Sequence, residues 1–148
     1  MKRFVFRLQT LLNHRQSIEQ MLLGELTHLR IAEQSEQAKL VECRSARERS
    51  WQAFSILIEE GASPWDLASA DEYCKALGDD LKLQELNLAA VQREVESKLA
   101  EVVEAAKQRK VLEQLCDRQR REYELEAARM EQKELDEMAS VRFARGIA

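Results

Sequence analysis

One proline, four glycines and only 5% aromatic residues are poor material for a globular core, which draws aromatic and branched side chains from many directions. The three cysteines, Cys43, Cys74 and Cys116, are odd in number and far apart. No spacing among them matches a zinc site or a redox dithiol, so they read as reduced thiols of a cytosolic protein. No stretch is long and apolar enough to span a membrane. The opening Met1-Lys2-Arg3-Phe4-Val5-Phe6-Arg7 begins like a signal peptide. Arg7, Gln9, Asn13, His14 and Arg15 then interrupt any apolar region, and no small-x-small cleavage site follows. Charge of one sign is missing too: the net value is −4, with acidic and basic residues interleaved. The nearest basic cluster (Lys107, Arg109, Lys110, Arg118, Arg120, Arg121) is diluted by Glu113, Asp117 and Glu122. No nucleic-acid partner is therefore expected.

Chemistry is equally sparse. His14 and His28 are too far apart in sequence to share a metal and have no other ligands at ligand spacing. The acidic group Glu131, Glu134, Asp136 and Glu137 lacks the glycine turn and oxygen spacing of a calcium loop, and reads as a charged helix face. No serine or cysteine stands in a nucleophile motif, and there is no glycine-rich phosphate loop. The expectation is a protein without catalysis, metal or cofactor.

What the chain does have is helical periodicity. The expected fold is all-α, a single coiled-coil domain over residues 1–148, with helix 1 at about 2–60, a bend at 61–69 and helix 2 at about 70–141. In the first block Phe4, Leu8, Leu11, Ile18, Leu22 and Leu29 share one face. The stripe weakens through Ala32, Glu36, Leu40, Cys43 and Arg47, then recovers at Trp51 and Phe54. Gly61 is a helix stop. Ser63-Pro64-Trp65-Asp66 is a start signal, a serine cap ahead of proline, and Ser69-Ala70-Asp71-Glu72 is a second with capping-box spacing. These two signals predict a short turn of helix near 64–68 before the long second helix. Its stripe includes Tyr73, Leu77, Leu81, Gln84, Leu88, Val91, Val95, Leu99 and Val102, with Leu77, Leu88 and Leu99 spaced by eleven. An eleven-residue period predicts a nearly straight or weakly right-handed helix.

Two such helices joined by a short connection fold back antiparallel, because each apolar stripe needs a partner. At 1.5 Å per residue the hairpin is expected to be a rod of about 90–105 Å, with helix 2 outrunning helix 1 by about ten residues. The segment from Met130 onward is then left unpaired, with Met130, Leu135, Met138 and Val141 still at helical spacing. An unpaired amphipathic end predicts a docking site.

The two ends also carry a resemblance. The opening Phe4-x-Phe6-x-Leu8-x-x-Leu11-Leu12-x-x-Arg15-x-x-x-Glu19 resembles that of the FliJ family. So does the stretch in which Leu112, Leu115, Arg118 and Glu122 lead into Arg129-Met130-Glu131-Gln132-Lys133-Glu134-Leu135-Asp136-Glu137-Met138-Ala139. The middle of the chain matches only in architecture. The resemblance implies a cytoplasmic component of bacterial flagellar type III export, peripheral at the inner face of the cell membrane. It implies an antiparallel two-helix coiled coil similar to the stalk of rotary ATPases. It further implies three partners: the hexameric export ATPase FliI, whose ring assembly it promotes, the cytoplasmic region of the export gate protein FlhA, and substrate chaperones. Membrane contact is expected only through the export complex. The terminal end is assigned to the ATPase, through Phe4, Phe6, Arg129, Glu131, Leu135, Asp136 and Glu137. Gate contact is assigned toward the hairpin end, to Leu40, Cys43, Tyr73 and Leu77, with Cys43 departing from the aromatic residue of some relatives. Two alternatives stand beside this assignment: the equivalent stalk protein of a virulence injectisome, and a structural coiled-coil adaptor without an ATPase partner.

Overall fold

A computed structural model describes residues 2–146. It contains two helices, α1 (Gln9–Glu59) and α2 (Pro64–Ala144), packed against each other as an antiparallel helical hairpin. Among the described residues there is no strand.

The connection follows from three residues. Gly61 adopts φ +72°, a left-handed conformation that glycine reaches without penalty. Its N–H donates to the Ile58 carbonyl, and the Ala62 N–H donates to the Leu57 carbonyl. These are the paired bonds of a Schellman stop, and they satisfy carbonyls that the helix end leaves free. Ser63 then caps α2: the Asp66 N–H donates to its Oγ at 3.3 Å, while that hydroxyl donates to the Asp66 carboxylate at 2.8 Å. Pro64, lacking an N–H, opens the helix where none is needed.

α2 runs unbroken from Pro64, so the separate turn expected before residue 70 is absent. Ser69 has the capping spacing, but nothing upstream stops the helix. A strong cap at Ser63 makes a second start superfluous. A larger departure lies at the beginning. Residues 2–6 have no regular structure and α1 starts only at Gln9, although the sequence predicts helix from residue 2. The physical reason is a local period of two. Phe4 and Phe6 turn inward while Val5 is exposed, the alternation of an extended segment. Aromatic and β-branched residues are also weak helix formers.

Packing groups the chain into two compact units, Met1–Gln20 with Val103–Ala148, and Met21–Val102. In the second of these, Leu26, Val95 and Val102 form one buried cluster with Leu22, Leu29 and Val91 against it. Leu40, Leu81 and Leu88 form another, flanked by Cys43. In the first unit Phe6, Leu12 and Cys116 are buried, with Phe4, Leu112 and Leu115 around them.

Burial on α2 follows a seven-residue spacing, not the expected eleven. Cys74, Leu81, Leu88, Val95 and Val102 are all buried, and Cys116 continues the same row. Leu99, which the eleven-residue pattern places inside, is 41% exposed. α1 supplies the matching row Leu12, Leu26 and Leu40, whereas Leu8 and Leu11 face outward. Seven is the repeat of a coiled-coil seam, because it returns a side chain to the facing helix every second turn.

The positions between these apolar layers are polar, and they meet one another. Gln84, buried on α2, donates through Nε2 to the Glu36 carboxylate and, at 3.1 Å, to the Glu36 carbonyl. That hydrogen bond is the main reason the Glu36 carboxyl is held below its ordinary range; partial burial opposes it and Lys39 adds to the lowering. Arg109 pairs with Glu19 across the seam and forks onto both Glu113 oxygens at 2.8 Å. Lys98 reaches Glu25 at 2.7 Å and Glu101 at 2.8 Å. A polar side chain in the seam is satisfied only in one alignment of the helices, so these layers select register.

Candidate interaction surfaces

The first candidate surface is the segment of unit one that carries both sequence-matched ends. The Phe4 and Tyr123 ring centroids are 5.6 Å apart, and the Arg120 guanidinium sits over the Phe4 ring, 5.6 Å from its centroid. The Tyr123 hydroxyl donates to the Lys2 carbonyl. The extended N-terminal segment is thereby clipped to α2, which the sequence, read as helix, did not foresee. Phe6 is buried beneath it. Of the residues assigned to the ATPase, Phe4 is half-buried and Phe6 is core; both brace α2 and offer little surface of their own.

The other five, Arg129, Glu131, Leu135, Asp136 and Glu137, are exposed on α2 beyond that clip. Every residue from 128 to 146 is exposed. Leu135, Met138, Val141 and Phe143 are large apolar side chains among them. Among the described residues, the only side-chain hydrogen bond in this stretch is internal, from Gln132 to Asp136 at 2.9 Å. Gly146, at φ +69°, ends the stretch with its N–H on the Phe143 carbonyl.

The second candidate surface lies in unit two. Leu40 is 4% exposed at the centre of its cluster, and Cys43 packs half-buried against it. Tyr73 is 60% exposed and Leu77 is half-buried. These four therefore divide into a pair on α1 that belongs to the Leu81 and Leu88 cluster and a more reachable pair on α2. Sequence reasoning passed over their neighbours. Ser50 and Cys74 are both buried and share a hydrogen bond of 2.8 Å between Oγ and Sγ. Arg47, Trp51, Lys75, Gly78, Lys82 and Glu85 border an open groove beside them. The heptad row through Cys74 and Leu81 was the signal that placed them together.

Among the described residues, no group of three or more His, Cys, Asp or Glu stands close enough to hold a metal ion. No helix of the described chain is long and apolar enough to cross a membrane. What both surfaces offer is exposed helix flanked by charge, a surface for contact between proteins.

A two-helix coiled coil with one free helical end defines a class of protein that works by docking. The model of the flagellar FliJ protein family matches residues 4–147, nearly the whole chain, and the protein belongs to that family. It is thus a component of flagellar protein export and interacts with the export apparatus. No curated protein and no solved structure matches the chain.

Proposed function

We propose that this protein serves flagellar export as a stalk-like coiled coil that promotes ring assembly of the export ATPase FliI, contacts the gate protein FlhA and escorts substrate chaperones. One observation carries the ATPase part: α2 remains helical through Ala144 while residues 128–146 are all exposed. An apolar helix face held in water is the ordinary form of a helix-in-groove ligand. Leu135 is its apolar anchor, with Arg129, Glu131, Asp136 and Glu137 around it to set orientation. Phe4 and Phe6 act indirectly, by fixing the point on α2 from which the free segment begins. The gate contact is assigned to Leu40, Cys43, Tyr73 and Leu77, of which Tyr73 and Leu77 are the more reachable, while Leu40 and Cys43 belong to the cluster with Leu81 and Leu88. Its place on the export complex would put the protein at the inner face of the membrane without inserting in it.

The test is ATP hydrolysis by the cognate ATPase, titrated with the protein and paired with sizing of the ATPase ring. Leu135→Asp places a charge in an apolar contact. It is expected to abolish stimulation and leave far-UV circular dichroism unchanged, since residue 135 is exposed. A parallel loss of helix content would reduce Leu135 to a folding residue. Full stimulation by the variant would remove the segment from the ATPase contact.

A further inference from the structure

The exposed segment of α2 has an internal symmetry that docking on an unrelated groove does not require. Residues 131–137 hold Glu131, Glu134, Asp136 and Glu137 against the single base Lys133. Residues 138–146 hold Arg142 and Arg145 and no carboxylate. At about 100° per residue, Glu131, Glu134, Leu135, Met138, Val141, Arg142 and Arg145 all fall within about 60° of one line along the helix. Five of the residues near that line, Glu134, Met138, Val141, Arg142 and Arg145, border one shallow depression. Among the described residues no ion pair engages Glu131, Glu134, Arg142 or Arg145.

The face mirrors itself about Met138. Glu134 lies four residues before it and Arg142 four after; Glu131 lies seven before and Arg145 seven after; Leu135 and Val141 flank it at three. We propose that this face docks a second copy of the same chain, antiparallel, about a twofold axis at Met138. Glu134 then meets Arg142 of the second copy, Glu131 meets Arg145, Leu135 meets Val141, and Met138 meets its own equivalent. The interface is isologous, so each opposite-charge pair occurs twice. A parallel pairing would set Glu134 on Glu134 and Arg142 on Arg142, and like charges at these spacings repel. The contact spans few turns, at the small end of protein interfaces, so the dimer forms with concentration rather than being obligatory.

Self-pairing also covers Leu135, so dimer and ATPase would compete for it. That consequence rests on the docking assignment above, whereas the test below contains no ATPase and stands or falls alone.

Sedimentation velocity of the full chain over roughly 5–500 µM should show reversible growth toward twice the monomer mass, the range set by so small an interface. Glu134→Arg alone and Arg142→Glu alone each place like charges at two symmetric points, and each should weaken association about tenfold or more. Combining both substitutions in one chain should restore it. Mixing the two single variants should also restore it, because each then supplies the charge the other lacks. All these positions are exposed, and circular dichroism of each variant is the check that the helices persist. A wild-type chain that stays monomeric throughout overturns the proposal. So do single variants that associate undiminished, which would mean pairing through another face, and a double variant that fails to recover.

Discussion

Lys98 shows how a single seam residue is tuned by its neighbours. Its ammonium is pushed up to about 12, first by the hydrogen bond to Glu101 and then by that to Glu25. In the unfolded chain a lysine titrates near roughly 10.4. The native state therefore holds this proton more tightly, and its contribution is fully present below the unfolded value. It is lost as pH rises from there through about 12. Lys98→Met is expected to lose less melting temperature than the wild type between about pH 9 and pH 12, measured by circular dichroism. Equal losses would show that the pair adds nothing to folding. Glu36 works in the opposite sense: its carboxyl is lowered chiefly by Gln84, so what it adds to stability disappears as pH falls through its folded value. The sequence made Glu36 legible as a soft point in the α1 stripe and Gln84 as an oddity in the α2 stripe. It could not show that each is the other's partner, because the pairing depends on register between distant segments.

At the scale of the element, α1 and α2 were legible in existence and type because their periodic patterns are long and almost free of breakers. Their faces were less so. Leu77, Leu88 and Leu99 satisfy an eleven-residue period, while Leu81, Leu88, Val95 and Val102 satisfy seven. A lone helix carries both patterns, and only packing against α1 decides between them. The same competition buried Leu12 in place of Leu8 and Leu11, since capture of Phe6 moves the start of α1 to Gln9. Val95 stands in the chosen row, buried with Leu26 and Val102. Val95→Pro removes a helix hydrogen bond and drives the ring into the preceding turn, so it should cost about 3 kcal/mol or more in thermal or urea unfolding. An unchanged midpoint would mean that residue 95 is not in continuous helix.

For the whole molecule, the three thiols provide a built-in gauge of where the chain opens. Cys43 is half-buried, Cys74 is 2% exposed and bonded to Ser50, and Cys116 is enclosed by Phe6 and Leu12. Under native conditions a thiol reagent followed by mass spectrometry should label Cys43 about tenfold or more ahead of the other two, which must wait for local unfolding. If Cys74 reacts as fast as Cys43, the helix ends near the connection are open in water most of the time. At this scale the family was legible through the matched ends. The arrangement of the extended N-terminal clip was not, because its alternating pattern is too short to compete with the helical stripe that follows it.

The connection at Gly61–Ser63 also governs how the chain finds its shape. The cross-helix bonds lie at growing sequence separations: 24 for Ser50 with Cys74, 48 for Glu36 with Gln84, 73 for Glu25 with Lys98, 90 for Glu19 with Arg109, and 121 for Lys2 with Tyr123. Measured along the chain, the last is a distant encounter with a high closure entropy. Once the inner pairs have formed, each next pair needs only the few residues between it and the one before. The hairpin thus turns a set of long-range contacts into a succession of short ones, an order of assembly that runs like a zipper from Gly61 outward.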